Sequence, residues 1–494
     1  MSTDKMILTN IISKIPIFQN NFPSTKSDIH PLDDEILSDL KQINSLLVDD
    51  DNEFELFKQV DTIKGLWKKL IEKSIISLRY FDTREPFLKN DKKKPHAYGL
   101  SQLCEYFNNY TDFESMLYGG SKYYRDHVVH VFRVWLLGIQ LMLDNNYIDK
   151  IVIDKQICIN SQEKVAIWTL ISLCHDLGYP LEKALQVLDK TKAMMKSFIV
   201  NPTITMDLAF SGVQNSMNDF VLRLISSKMT CGDEVEGTVE HKDDTSKNYV
   251  ARLQPKYYFK LQKSLEHNKH GILSSLIIYK MLTYFLESDY NVNEDYSFNK
   301  EEARQFYIRR EVLRAIASHT CSDIYQLDSL NFSFLLILTD DAQEWGRKNI
   351  SELYTLHKSN KYSFEKVEIS PLDNDKYVCR IIESYELQDI DLLPSLITRF
   401  VNQGKNYRDL FRDGQDTENR NFNFERLSKI KVAINGGMET YHYKLIIPHD
   451  ECASSFIEKE QGLIDKGDSF YKKLESKKVL DIILRNNKIS INME

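Results

Sequence analysis

From Leu100 to Arg347 the chain reads as apolar runs spaced for helices. Apolar residues recur every three or four positions and predict helices over 100–110, 126–143, 162–175, 181–197, 215–226, 269–287, 300–319 and 332–347. Segment 126–143 is apolar nearly all round, which predicts a helix buried on every side. Ahead of it, residues 1–95 carry helical spacing over 53–59 and 63–80 and read as a helical lead-in. Asp49–Asn52 and Lys89–Pro95 read as solvated loops. The acidic stretch Thr230–Lys247, with Gly232 and Gly237, interrupts the helices. It predicts a surface insertion near 228–256, with a lid as the functional alternative.

Beyond Lys361 the period changes. Phe364–Ile369, Tyr377–Leu387, Ile430–Ile434 and Tyr441–Ile447 alternate or are β-branched and predict strands, with a helix over 392–412 between the two pairs. The expected fold is mainly α: a helical bundle over 96–357, a smaller α+β domain over 361–450, and a helical tail over 451–494.

Composition narrows the function classes. The chain has 494 residues, 42% hydrophobic and 28% charged, as an ordinary globular protein does. A net charge of −8 argues against a stable nucleic-acid partner. It leaves nucleotides open, because a metal and a few local cations bind phosphate inside an acidic protein. Seven scattered cysteines, none spaced Cys-x-x-Cys, argue against a disulfide scaffold or a thiolate zinc site. Lys14 and Pro16 break the first apolar stretch, no small-residue cleavage site follows, and uncharged runs such as 134–143 are too short to span a bilayer. The expectation is a cytoplasmic protein without a membrane partner.

The chemistry centres on His175-Asp176, at the end of the apolar run Val165–Cys174. A carboxylate there is costly unless something neutralises it, and a divalent metal does so. His130, His270, His319 and Asp340 each sit on an apolar segment of their own. Six such ligands exceed one tetrahedral site. They suit two metals bridged by Asp176, the ion being Mn, Fe, Ni, Co, Zn or Mg. Such a pair binds a phosphate oxygen and activates water, so the implied reaction is hydrolysis of a phosphate ester or anhydride.

Competing assignments exist. His127 lies one turn before His130, His267 one turn before His270, and Asp341 beside Asp340. A helix C-terminus attracts an imidazole such as His319 without any metal. His127 suits a general acid, a substrate contact or plain packing. Arg125 and Lys183 are candidates for phosphate, Tyr124 and Tyr179 for a base or sugar.

Four local contexts then add a resemblance. His130-Val-Phe-Arg-Val134, Leu173-Cys-His-Asp-Leu-Gly178, Lys269-His-Gly271 followed by Ser274 and Ser275, and Leu338-Thr-Asp340 resemble, in this order, the HD-domain superfamily of metal-dependent phosphohydrolases. The resemblance covers about residues 120–347. It implies an HD-type helical bundle around a central site. His130, His175, Asp176 and Asp340 match the core ligands, and His270 and His319 match the extra ligands of binuclear members. Asp176, with His127 and Arg125, would form the catalytic group, and Lys183, Tyr179 and Tyr124 the nucleotide contacts.

His175-Asp-Leu-Gly-Tyr-Pro180 is similar to the His-Asp-Leu-Gly-His-Pro segment of deoxynucleoside triphosphate triphosphohydrolases. Tyr179 stands where that subgroup has a catalytic histidine, and no second histidine follows Pro180. His270 and His319 match two-metal members, among them cyclic-nucleotide and cyclic-dinucleotide phosphodiesterases. The expected activity is the triphosphohydrolase, with the phosphodiesterase as alternative. A catalytically silent nucleotide-binding sensor is the alternative of another class. The resemblance also implies a homo-oligomer and a nucleotide effector, for which the α+β domain would be the sensor or assembly surface.

Overall fold

A computed structural model of the chain describes residues 3–21, 29–47, 56–82, 97–120, 125–154, 157–198, 212–231, 249–287, 297–324, 330–347, 361–371, 377–410, 422–434, 436–448, 454–462, 464, 467–475, 482–485 and 488–491. The fold is mainly α with a smaller α+β part, as the period change at Lys361 predicts. Helices α1 (Thr3–Asn20), α2 (Asp34–Leu46), α3 (Val60–Tyr80), α4 (Leu100–Gly120), α5 (Val128–Leu143), α6 (Ser161–Cys174), α7 (Tyr179–Met195) and α8 (Gly212–Ser226) come first. A small antiparallel sheet follows, of β1 (Ser227–Cys231), β2 (Tyr249–Leu253) and β3 (Ser297–Phe298). Helices α9 (Pro255–Glu266), α10 (His270–Met281), α11 (Lys300–Ser318) and α12 (Phe332–Ala342) complete the bundle.

Local chemistry sets the helix starts. Asn160 and Glu163 form a capping box on α6, and Asn299 and Glu302 form another on α11. The Asn331 side chain caps α12 by accepting from the Phe334 amide at 2.8 Å. These three asparagine-capped helices are the ones whose far ends carry His175, His319 and Asp340.

The apolar helix α5 is the axis of the bundle. All its residues except Gln140 and Leu143 are buried. The stretch Val128–Lys150 passes as a membrane span by length and hydropathy, longer than the uncharged run alone suggests, yet 78% of its apolar window is buried inside the bundle. Gly138 lets α5 and α6 meet: an added Cβ would lie 2.0 Å from the Trp168 ring. Trp135 donates to Thr169 at 3.0 Å, and Trp168 donates back to the Trp135 carbonyl at 3.2 Å. Helix α6 also packs against α3 and α11.

The first helices are not a separate lead-in. They share one hydrophobic core with the bundle. Trp67 on α3 donates to the Leu173 carbonyl at 2.9 Å. Asp4 on α1 receives Arg133 of α5 at 2.7 and 3.0 Å and the Trp345 indole at 2.8 Å. Segment 53–59 contributes a single 3-10 turn, 57–59, and its start lies outside the described residues, as do both predicted solvated loops.

The C-terminal part is a seven-stranded sheet in the order β4 (Lys361–Pro371), β5 (Tyr377–Leu387), β6 (Phe422–Ile434), β7 (Gly437–Ile447), β8 (Ser454–Lys459), β10 (Lys488–Ile491), β9 (Ile482–Arg485). Its pairs are antiparallel except β5–β6, which are parallel and joined by helix α13 (Leu393–Leu410), as a parallel crossover requires. The segment 451–494 is therefore not a helical tail: its described residues add three strands and one short helix, α14 (Ser469–Glu475). Its strands are short and stabilised by pairing, β8 against β7 with Ile457 opposite Tyr443, and β8 turns Ser455 inward, so apolar alternation does not mark it. The insertion also differs from a plain loop. Its flanks pair as β1 and β2, and its middle, 232–248, lies outside the described residues.

Asp4 is the anchor that closes the bundle. Removing one partner of a buried ion pair costs about 3–5 kcal/mol. Asp4→Ala is expected to lower unfolding stability by that order in urea titrations, because Arg133 is 1% exposed and loses both carboxylate bonds.

Candidate metal centre

Helix ends bring the six predicted ligands together. His175 and His319 stand at the C-caps of α6 and α11, and Asp340 lies in the last turn of α12. His130 sits in the first turn of α5, and His270 opens α10. Three helix C-termini thus converge, and each presents the negative end of its dipole, which favours a cation. The three ligand groups His130–His175–Asp176, His175–His319–Asp340 and Asp176–His270–His319 each hold their atoms within 4.8 Å of one another.

Asp176 lies between two histidine pairs. Its Oδ2 is 3.5 Å from His175 Nε2 and 3.8 Å from His130 Nε2. Its Oδ1 is 3.3 Å from His270 Nε2 and 3.8 Å from His319 Nε2. Asp340 Oδ1 closes the first side, 2.8 Å from His130 Nε2 and 3.8 Å from His175 Nε2.

All four rings have Nδ1 engaged. His130 Nδ1 is 2.5 Å from Gln343 Oε1, and His270 Nδ1 is 2.7 Å from Glu182 Oε2. His175 Nδ1 donates to the Ser172 carbonyl at 2.7 Å and His319 Nδ1 to the Ile316 carbonyl at 2.6 Å. Those two bonds also satisfy carbonyls left open at the helix ends. With Nδ1 as donor, each Nε2 of a neutral ring presents a lone pair to carboxylate oxygens. Acceptors then face acceptors, and Nε2 of His175 and of His319 is buried with no hydrogen-bond partner. A divalent cation resolves this arrangement, and imidazole with carboxylate is the donor set that transition metals take. The residues fit a metal on that ground.

Electrostatics follow the same geometry. Burial pulls the His130 imidazole down to about 4, with the Arg347 charge adding to it. Burial acts likewise on His175, but Asp176 and Asp340 outweigh it and lift that ring to about 9, so that without a cation a proton supplies the positive charge these carboxylates call for. Burial raises the Asp176 carboxyl, yet the surrounding histidines hold it well below the usual range. Glu182, despite its burial, is brought to about 2 by His270.

Small residues let the elements close. An added Cβ at Gly178 would lie 2.4 Å from the His270 carbonyl, and one at Gly271 would lie 2.6 Å from the Ile316 carbonyl. The Ser274 hydroxyl accepts from the Gly178 amide at 2.8 Å and lies 2.6 Å from the His175 carbonyl.

Other predicted residues divide. His127 is buried, its amide donating to Glu114 at 2.7 Å and its ring stacked on Tyr179 at 3.8 Å. Burial pushes its imidazole well below its ordinary value, against Asp176, which raises it. Tyr179 lies between His127 and His270, with Lys183 Nζ 5.0 Å from its ring centroid. Arg125 is not in the ligand cluster: it pairs with Glu344 at 2.7 Å. His267 is exposed and donates to its own helix at Lys263, so His270 is the inward member of that pair. The ligand groups contain Asp340 and not Asp341. Tyr124 lies outside the described residues.

Sequence reasoning missed Gln343, Glu182, Glu114 and Arg347. Glu182 and Gln343 each lie within a few residues of a ligand motif, a weak signal. Their partners, however, come from other helices. No protein-family model, curated protein or solved structure matches this chain.

Residues that orient metal-bound histidines typically contribute about 10–100-fold to metal affinity. Glu182→Gln and Gln343→Leu are each expected to weaken Mn²⁺ binding by about that factor in calorimetry, with the protein still folded by circular dichroism. Asp176→Ala should abolish the binding of more than one ion per chain.

Proposed function

We propose that the chain is a metal-dependent phosphohydrolase of HD type acting on nucleotide phosphates. The observation that carries this reading is Asp176, each of whose oxygens faces its own histidine pair. A bridging carboxylate between two ligand sets is what a two-metal centre needs. When bound, divalent ions supply Lewis acidity toward a phosphate oxygen and make water nucleophilic near neutral pH.

The chain's own residues do the rest. His130, His175, His270, His319, Asp176 and Asp340 would hold the ions. Gln343 and Glu182 keep two of the rings in the tautomer that presents Nε2. The His127–Tyr179 stack forms a wall next to His270, where a substrate would be positioned. His127, held largely neutral by burial, suits a hydrogen-bond contact better than a stored proton.

Deoxynucleoside triphosphates are the first substrate class proposed, on the similarity of His175-Asp-Leu-Gly178 and Pro180 to the triphosphohydrolase segment. Hydrolysis of a cyclic nucleotide diester is the second reading. It is favoured by His270 and His319 joining the cluster and by Tyr179, which occupies the catalytic-histidine position of the triphosphohydrolases.

A panel of dNTPs, NTPs, cyclic mononucleotides and cyclic dinucleotides with Mn²⁺, read by mass spectrometry, tests this. Nucleoside with intact triphosphate supports the first reading, and linear mononucleotide from a cyclic substrate supports the second. Asp176→Ala is expected to lower kcat by a factor on the order of 1,000. His127→Ala should retain its metal while kcat falls by about 100-fold. Metal and nucleotide binding without turnover of any compound would replace the enzyme by a sensor.

A further inference from the structure

Three arginines and one glutamate meet where the bundle joins the C-terminal sheet. Glu344 accepts from Arg125 at 2.7 Å and from Arg399 at 2.9 Å. Arg125 Nε donates to the Arg347 carbonyl at 3.2 Å, which brings a third arginine alongside. Arg125 precedes α5, Arg347 follows α12, and Arg399 lies on α13 of the C-terminal part. Arg399 also donates to the Tyr385 hydroxyl at 2.8 Å.

This cluster is built but unbalanced. Two guanidinium groups, Arg125 and Arg399, pair with the Glu344 carboxylate, which lies four residues beyond Asp340, and the charge of Arg347 acts on it as well. Among the charges that act on Arg347 are Arg125, which repels it, and Asp340 and Asp176 of the metal centre. The Nε atoms of Arg347 and of Arg399 are both buried without a hydrogen-bond partner. A buried guanidinium N–H without an acceptor is costly, and like charges held together add to that cost. An anion with several acceptor oxygens relieves both at once. Phosphate has that chemistry, and the planar arginine fork matches it.

We propose that Arg125, Arg347 and Arg399 form a phosphate-binding subsite beside the metal centre, to which the C-terminal part contributes Arg399. The ligand is a phosphate group distinct from the one at the ions: either a further phosphate of the substrate or part of a separate polyphosphate ligand. The subsite takes its purpose from the phosphohydrolase reading, but its test needs neither metal nor turnover.

The test is calorimetric titration of the metal-stripped full chain with tripolyphosphate. Wild type is expected to bind it. Arg399→Gln and Arg347→Gln are expected to bind at least tenfold more weakly, and Arg399→Lys, which keeps the charge but loses the fork, to fall between. Arg380→Gln, on the sheet and paired with Glu368 and Glu425, serves as the control and should bind as wild type does. Thermal melts report folding. If Arg347→Gln is unfolded, the Arg399 variants carry the comparison, since that side chain is 34% exposed.

A non-hydrolysable dNTP analogue separates the two sources. Mutual displacement with tripolyphosphate makes the group the substrate's own, and simultaneous binding makes it a separate ligand. Both outcomes support the subsite. No binding by wild type, or equal binding by wild type and the Arg399 and Arg347 variants, overturns it. Turnover with Mn²⁺ is assayed apart: its absence with tripolyphosphate binding retained removes the hydrolase and keeps the subsite.

Discussion

The site depends on one electrostatic constraint: histidine lone pairs and carboxylate oxygens are held facing one another in a buried space. Each Nδ1 is committed to Gln343, Glu182 or a helix carbonyl, so in the neutral rings each Nε2 is left as an acceptor. The groups it meets are Asp176 and Asp340, which also accept. Positive charge is needed between them, and three helix C-termini strengthen that need. The asparagine caps of α6, α11 and α12 set where those helices begin. Gly178, Gly271 and Ser274 allow the approach that brings the ends together.

A single loop after α12 ties the rest of the chain to this constraint. Gln343 holds His130, and Trp345 is anchored by Asp4 of the first helix. Gly346 takes a φ of +69° directly against the Arg133 guanidinium, where a side chain would collide. Glu344 reaches Arg399, and the Trp345 ring meets Phe364 of β4 at 4.7 Å. The N-terminal helices and the C-terminal sheet therefore both bear on the segment that orients a ligand. From Arg399 the contacts continue through Tyr385 to Glu383, a buried carboxylate that also receives Arg426, Ser428 and Tyr362.

Much of this was legible in the sequence, for physical reasons. Apolar periodicity marked the bundle helices because their cores are continuous, and it placed the start of α6, α11 and α12 within a residue. The residues of the cluster were legible because each interrupts an apolar segment with a group that burial alone would penalise. Glu182, Gln343 and Glu114 were not, since a polar residue on a helix looks solvated until its tertiary partner is known. The strands of 451–494 and the β1–β2 pair were hidden likewise: short strands with polar inward positions owe their form to neighbours. Arg125 was marked for its position near the ligands, but its role is set by Glu344, 219 residues away.

The most direct test of the proposed two-metal centre is electron paramagnetic resonance of the full chain titrated with Mn²⁺. Two ions held on either side of Asp176 would couple magnetically. The account predicts an exchange-coupled dimanganese spectrum at two equivalents in wild type, reduced to a single-ion signal in Asp176→Ala. An uncoupled six-line signal in the wild type, or no bound manganese at all, would contradict it.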